Sequence, residues 1–232
     1  MEFEVTHRPA YAMVTAKLEA GETCIAEAGA MISMDSHVKM TTQAAKKKDE
    51  GLLGGLMSGL KRMVAGESFF QNHYNAEGQA GNVVFAPTLQ GDIDTYVLDE
   101  SDTKLILQSS AYICCSDGVE VDAKWGGGKS FFGGEGLIML KASGSGPIAF
   151  NSFGGIKKIE MDGKFIVDTG HIVAFEDTLD FKVTKFGGGW KSFFLGGEGL
   201  VCTFSGTGTL WIQTRNAQGF GEAIGPLLPM RG

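Results

Sequence analysis

Gly126-Gly127-Gly128-Lys129-Ser130-Phe131-Phe132-Gly133-Gly134-Glu135-Gly136-Leu137 returns, little changed, as Gly187-Gly188-Gly189-Trp190-Lys191-Ser192-Phe193-Phe194-Leu195-Gly196-Gly197-Glu198-Gly199-Leu200. The Ser-Phe-Phe at its centre also stands at Ser68, so three copies begin at Ser68, Ser130 and Ser192, 62 residues apart both times. A fixed period of that size is the mark of a chain assembled from repeated supersecondary units.

Working outward, each copy is preceded by a second recurring block. Thr23–Ser36, Lys104–Asp117 and Lys164–Asp177 each carry an apolar run, a polar or small break, a second apolar run and a polar end. Runs of that length with such a break predict two strands and a connection. After each Ser-Phe-Phe comes a small-residue stretch, at 76–81, 142–146 and 205–208, which reads as a hairpin signal. Strand-like segments follow at 82–86, 147–151 and 209–213.

Four or five short strands per unit are too few to enclose a core, so the units must pack against one another. The sequence therefore predicts one all-β domain of three tandem degenerate repeats, about 1–90, 91–153 and 154–225, around a pseudo-threefold axis. Glycine supports this: 35 of 232 residues is about twice ordinary usage, with 5 prolines and no collagen-like period. Hydrophobic residues at 43% are enough to fill a core.

The first unit departs from the pattern. Ser36 to Ser68 spans 32 residues, against 13 from Asp117 to Ser130 and 15 from Asp177 to Ser192. The excess falls at about 44–66, where Leu52, Leu53, Leu56, Leu60, Met63 and Val64 recur at helical spacing. One short helical insertion is predicted there. Lysines and Lys61-Arg62 flank an apolar stripe that pseudo-symmetry does not require. Leu52, Leu53, Leu56, Leu60, Lys61, Arg62 and Met63 are therefore the candidate interaction residues of a 46–67 contact element.

Three stretches carry a family resemblance: Gly21-Glu22 with Glu27-Ala28-Gly29-Ala30-Met31, Gly55-Leu56 with Gly59-Leu60-Lys61-Arg62 and Gly66-Glu67-Ser68, and Val167-Asp168-Thr169-Gly170-His171. The chain resembles, over nearly its whole length, bacterial and archaeal relatives of the altered-inheritance-of-mitochondria (mitochondrial biogenesis) proteins. Their fold is similar to repeated tryptophan RNA-binding attenuation protein (TRAP) subunits. The resemblance implies a β-sandwich or double-stranded β-helix of three units and supplies no activity. A mitochondrial address does not transfer with it, since the N-terminus lacks an Arg- and Ser-rich presequence.

The repeat also acts as an internal control on candidate chemistry. Gly126-Gly127-Gly128-Lys129-Ser130 suggests half a phosphate loop, but Ala123 stands where the first glycine is required and Trp190 interrupts the later copy. Glycine turns between strands explain the string better. Cys24, Cys114, Cys115 and Cys202 align with apolar or small residues in other copies and read as buried free thiols. His7, His37, His73 and His171 show no metal-ligand spacing, and His171 aligns with Ala30 and Ala111. Asp168 matches Gln108 and Glu27, and Glu135 matches Glu198, which reads as structural polarity.

A net charge of −7 disfavours nucleic acid, whose phosphates call for a basic field. Met1–Val5 shows no secretory pattern and no apolar run reaches membrane-span length, so a cytoplasmic protein is expected. With no catalytic spacing, the chain is expected to be a non-enzymatic interaction or scaffold protein without a cofactor. It is expected to form a homo-oligomer and to contact a protein partner or a membrane surface through 46–67 and the Gly/Phe-rich loops. The alternative is a small-molecule-binding protein or enzyme with a cavity between sheets.

Overall fold

Alternation writes the first sheet. In Met13–Leu18 the side chains of Val14, Ala16 and Leu18 are buried and those between them face outward, the period-two pattern of a strand with one face on a core. The structure, a computed structural model, describes residues 1–44, 70–99, 103–122, 131–132, 137–185 and 200–229. Strands are numbered in chain order. Among the described residues there are three sheets, in an all-β fold.

The first sheet has the order β1 (Glu2–Thr6), β2 (Met13–Leu18), β7 (Gly81–Phe85), β4 (Met31–Met34). The second runs β5 (Lys39–Ala44), β6 (Phe70–Asn75), β3 (Thr23–Glu27), β10 (Tyr112–Ser116), β14 (Gly146–Asn151), β8 (Ile93–Leu98). The third runs β11 (Val119–Asp122), β13 (Leu137–Gly144), β9 (Leu105–Gln108), β16 (Ile172–Glu176), β18 (Leu200–Gln213), β15 (Ile156–Asp168). In addition, β12 (Phe131–Phe132) pairs with β13 and β17 (Asp180–Lys185) with β18. All these strand pairs are antiparallel, as short connections allow.

The pairings fall into sets. β3 pairs with β6, β9 with β13, and residues 164–168 of β15 with the start of β18. β4 pairs with β7, β10 with β14, and β16 with the end of β18. Each of these last three breaks register at the same aligned place: Met31/Ser33, Tyr112/Cys114 and Ile172/Ala174. A bulge re-aims side chains and bends the strand, so three bulges at aligned positions are a specific match.

The small-residue stretches correct the expectation of hairpins. Strand β6 lies in the second sheet and β7 in the first, and β13 lies in the third and β14 in the second, so 76–81 and 142–146 pass the chain between layers. In β18 the chain does not turn at all. It runs through Gly206, whose φ of +116° suits glycine, and stays paired with β15 through Gly163 at φ +121°.

The first two cores draw on successive sheets, and the third is built from strands of the third sheet alone. Val14, Phe85 and Tyr74 centre the first and Tyr112, Phe150 and Trp211 the second. Phe175 and Phe204 centre the third, to which both halves of β15 and β18 contribute. Trp211 meets Phe150 edge-on at 5.6 Å and Tyr96 at 5.7 Å, while its indole N–H donates to Asp94 at 2.9 Å. Such aromatic pairs add about 0.5–1.5 kcal/mol each beyond area burial. The four cysteines sit in these layers, free and buried.

One helix among the described residues was not anticipated. α1 (Ala217–Ile224) begins at Asn216, whose side chain accepts from the Gly219 amide at 2.6 Å, and stops at Gly225-Pro226. Its two internal glycines mask it to a propensity reading, whereas the Asn cap and the Phe220/Ile224 spacing are the signal that could have found it. The predicted helical insertion at about 44–66 lies outside the described residues, apart from Ala44 at the end of β5.

Candidate functional site

Three strands end at the same cavity. Glu27 is the last residue of β3, Gln108 of β9 and Asp168 of β15, and all three line one opening of about 670 Å³. They are the three residues that the sequence alignment equates. His171, Gln213 and Asn216 form another part of the wall, and Glu222 of α1 stands at it too.

The polar groups differ in how tightly they are held. The Asp168 carboxylate accepts from the Gly170 amide at 2.8 Å and so caps the 3-10 turn Thr169–His171, a structural duty. His171 is clamped at both ring nitrogens, with Nδ1 2.8 Å from the Gln213 carbonyl and Nε2 3.1 Å from the Asn216 amide nitrogen. Because Asn216 uses its oxygen to accept from Gly219, its nitrogen donates to Nε2, and Nδ1 must carry the ring hydrogen. Gln213 extends the network, donating to the Gly170 carbonyl at 2.9 Å and accepting from the Phe153 amide at 2.8 Å. His171 therefore fastens the end of β18 to the start of α1, and neither nitrogen is spare for a metal or a proton transfer.

Glu27 is the exception. Among the described residues its carboxyl has no hydrogen-bond partner, and burial pushes its pKa up to about 7. A carboxyl so poised can exchange a proton or pair with a cation. Three of the cysteines are poor nucleophiles: burial pushes Cys115 and Cys202 up to about 12 and Cys114 well above its ordinary value, so these three thiols stay protonated at neutral pH. Among the described residues no cluster of His, Cys, Asp and Glu could hold a metal ion.

A second feature lies on the sheet edges. Strands β10 and β16 are buried almost throughout, with Ile113 and Val173 no more than 1% exposed. The aligned strand β4 is bare: Ile32 is 55% exposed and Met34 37%. Residues 164–168 show the same contrast. Phe165 is 39% and Ile166 57% exposed, whereas the aligned Leu105 and Ile106 are 0% and 1% exposed. Among the described residues β4 pairs only with β7, and 164–168 only with β18.

The sequence-predicted interaction residues Leu52, Leu53, Leu56, Leu60, Lys61, Arg62 and Met63 lie outside the described residues, as do Lys129, Glu135 and Glu198. Among the described residues no helix is long and apolar enough to cross a membrane. The convergence of Glu27, Gln108 and Asp168 had a signal in the sequence, their shared place in the alignment. The bare edges had none, because residues alike in type differ only in what covers them.

Comparison with known proteins places this all-β architecture. The chain belongs to the Mitochondrial biogenesis AIM24 family, whose match runs over residues 3–215. An uncharacterized protein of Streptococcus pyogenes serotype M6 is 31% identical over 233 residues, covering 99% of this chain and 92% of the relative. The crystal structure of the Streptococcus pyogenes protein SPYM3_0169 superposes with a TM-score of 0.77 at 27% identity, over 98% of this chain and 99% of that one.

Proposed function

We propose that the chain is a non-catalytic interaction protein of three like units, about 1–90, 91–153 and 154–225, and that it acts by pairing sheet edges. The observation that carries this is β4, an apolar strand that among the described residues is bare on one side, whereas its aligned counterparts are covered. An exposed apolar edge offers unpaired amides and carbonyls to another strand, and proteins leave such an edge open when pairing is its use. The three aligned bulges and the three like sets of pairings support the unit reading. The clamped His171 and the protonated thiols of Cys114, Cys115 and Cys202 weigh against catalysis at those features.

Light-scattering mass tests the reading. The unaltered chain is expected to run as a multiple of its 24.6 kDa, and Ile32→Lys to run at 24.6 kDa with its fold intact. Ile32 faces solvent, so a lysine costs the monomer little while blocking the edge. Equal masses for the two would refute edge pairing. A second reading rests on the cavity, where Glu27, Gln108 and Asp168 converge and a small cationic ligand would find a carboxyl without a described partner.

A further inference from the structure

Among the described residues the chain makes the same joint twice and leaves the two halves of a third. In the first joint β3 pairs with β10, setting Ala26 opposite Cys114, Ile25 opposite Cys115 and Cys24 opposite Ser116. In the second β9 pairs with β16, setting Leu107 opposite Ala174, Ile106 opposite Phe175 and Leu105 opposite Glu176. The aligned residues make these one register used twice. Each joint completes a six-strand succession, β5-β6-β3 with β10-β14-β8 and β11-β13-β9 with β16-β18-β15. The halves left over are β17-β18-β15 at one end and β4-β7-β2 at the other.

We infer that a second copy of this chain supplies the missing half. Residues 164–168 of one copy pair antiparallel with β4 of the other, Val167 opposite Ser33, Ile166 opposite Met34 and Phe165 opposite Asp35. The inference rests on the interaction reading and names its partner and register. Continuity with the two internal joints identifies the occupant, since the free edges are the same two strands, in the same relation, that already bind each other within the chain. The chemistry agrees. Ile32, Met34, Phe165 and Ile166 are the large apolar side chains left bare there, and the joint covers all four. Its two sides differ, so copies joined this way either close a ring or extend.

Cross-linking tests it. Met34→Cys in one chain and Ile166→Cys in another place thiols directly opposite, within the 4.4–6.8 Å Cα separation a disulfide needs. Both positions face solvent, so both variants should fold, and the native cysteines are buried and do not compete. Mild oxidation of the mixture is expected to give a covalent dimer that neither variant forms alone. If the unaltered chain associates but the mixture gives no mixed dimer, the joint is wrong and the interaction reading stands. A link within single chains carrying both cysteines, with no link between chains, means the chain closes on itself and overturns the joint. A monomeric unaltered chain overturns both.

Discussion

Glu27 and its counterparts show what one residue can reveal. The neutral carboxyl is the form that burial favours, so its contribution to stability is fully present below about pH 4.5 and is lost as pH rises through about 7. Glu27→Gln keeps the shape and removes the titration. After discounting for the solvent that reaches this half-buried group, the variant should be more stable than the unaltered chain by about 1 kcal/mol above pH 7. The two should be equal below pH 4.5, the ordinary value of the group. Urea unfolding at both ends of that window checks it, and a constant difference would place the carboxyl in water. Edge pairing is untouched by this substitution, so unchanged mass with lost ligand response would separate the cavity reading from the interaction reading. The alignment of Glu27, Gln108 and Asp168 was legible in the sequence. Their meeting at one cavity was not, because it depends on how three distant strand ends are brought together.

At the scale of elements, the connections that precede β8 and β15 carry constraints that the strands do not. Gly91 and Gly154 bridge the two connections in parallel, with Asp92 N donating to the Gly154 carbonyl and Gly154 N to the Gln90 carbonyl, both at 2.9 Å. A Cβ on Gly91 would fall 1.8 Å from the Ser152 carbonyl oxygen, a backbone atom that cannot step aside alone. Gly91→Ala should therefore cost about 1–3 kcal/mol, the usual range for overpacking. Chemical denaturation would show it, and an unchanged midpoint would mean the two connections are not in contact. The strand pairs in 23–36, 104–117 and 164–177 were readable because apolar runs of four or five residues with a polar break have few other uses. The corners at 76–81 and 142–146 read as hairpins in the sequence because glycine serves a tight turn and a passage between layers equally well. α1 went unseen because its glycines outweigh its cap.

Across the whole molecule, the proposed edge pairing treats the chain as an asymmetric building block, with two internal joints and, among the described residues, two leftover halves. A closed single chain would need β4 and 164–168 to meet each other. Among the described residues they do not pair with each other, and each belongs to the last strand of its own sheet. The period of 62 residues led to the proposal of three like units, but which edges are left bare was not written in it, since β4 and 164–168 are as apolar as the strands aligned with them. The most direct measurement is amide hydrogen exchange at Met31–Met34 and 164–168 across a range of protein concentrations. The joint predicts that both segments slow together as concentration rises, with no change at β10 or β16, which are already paired. Fast exchange at both segments at every concentration, or protection of one without the other, would contradict it.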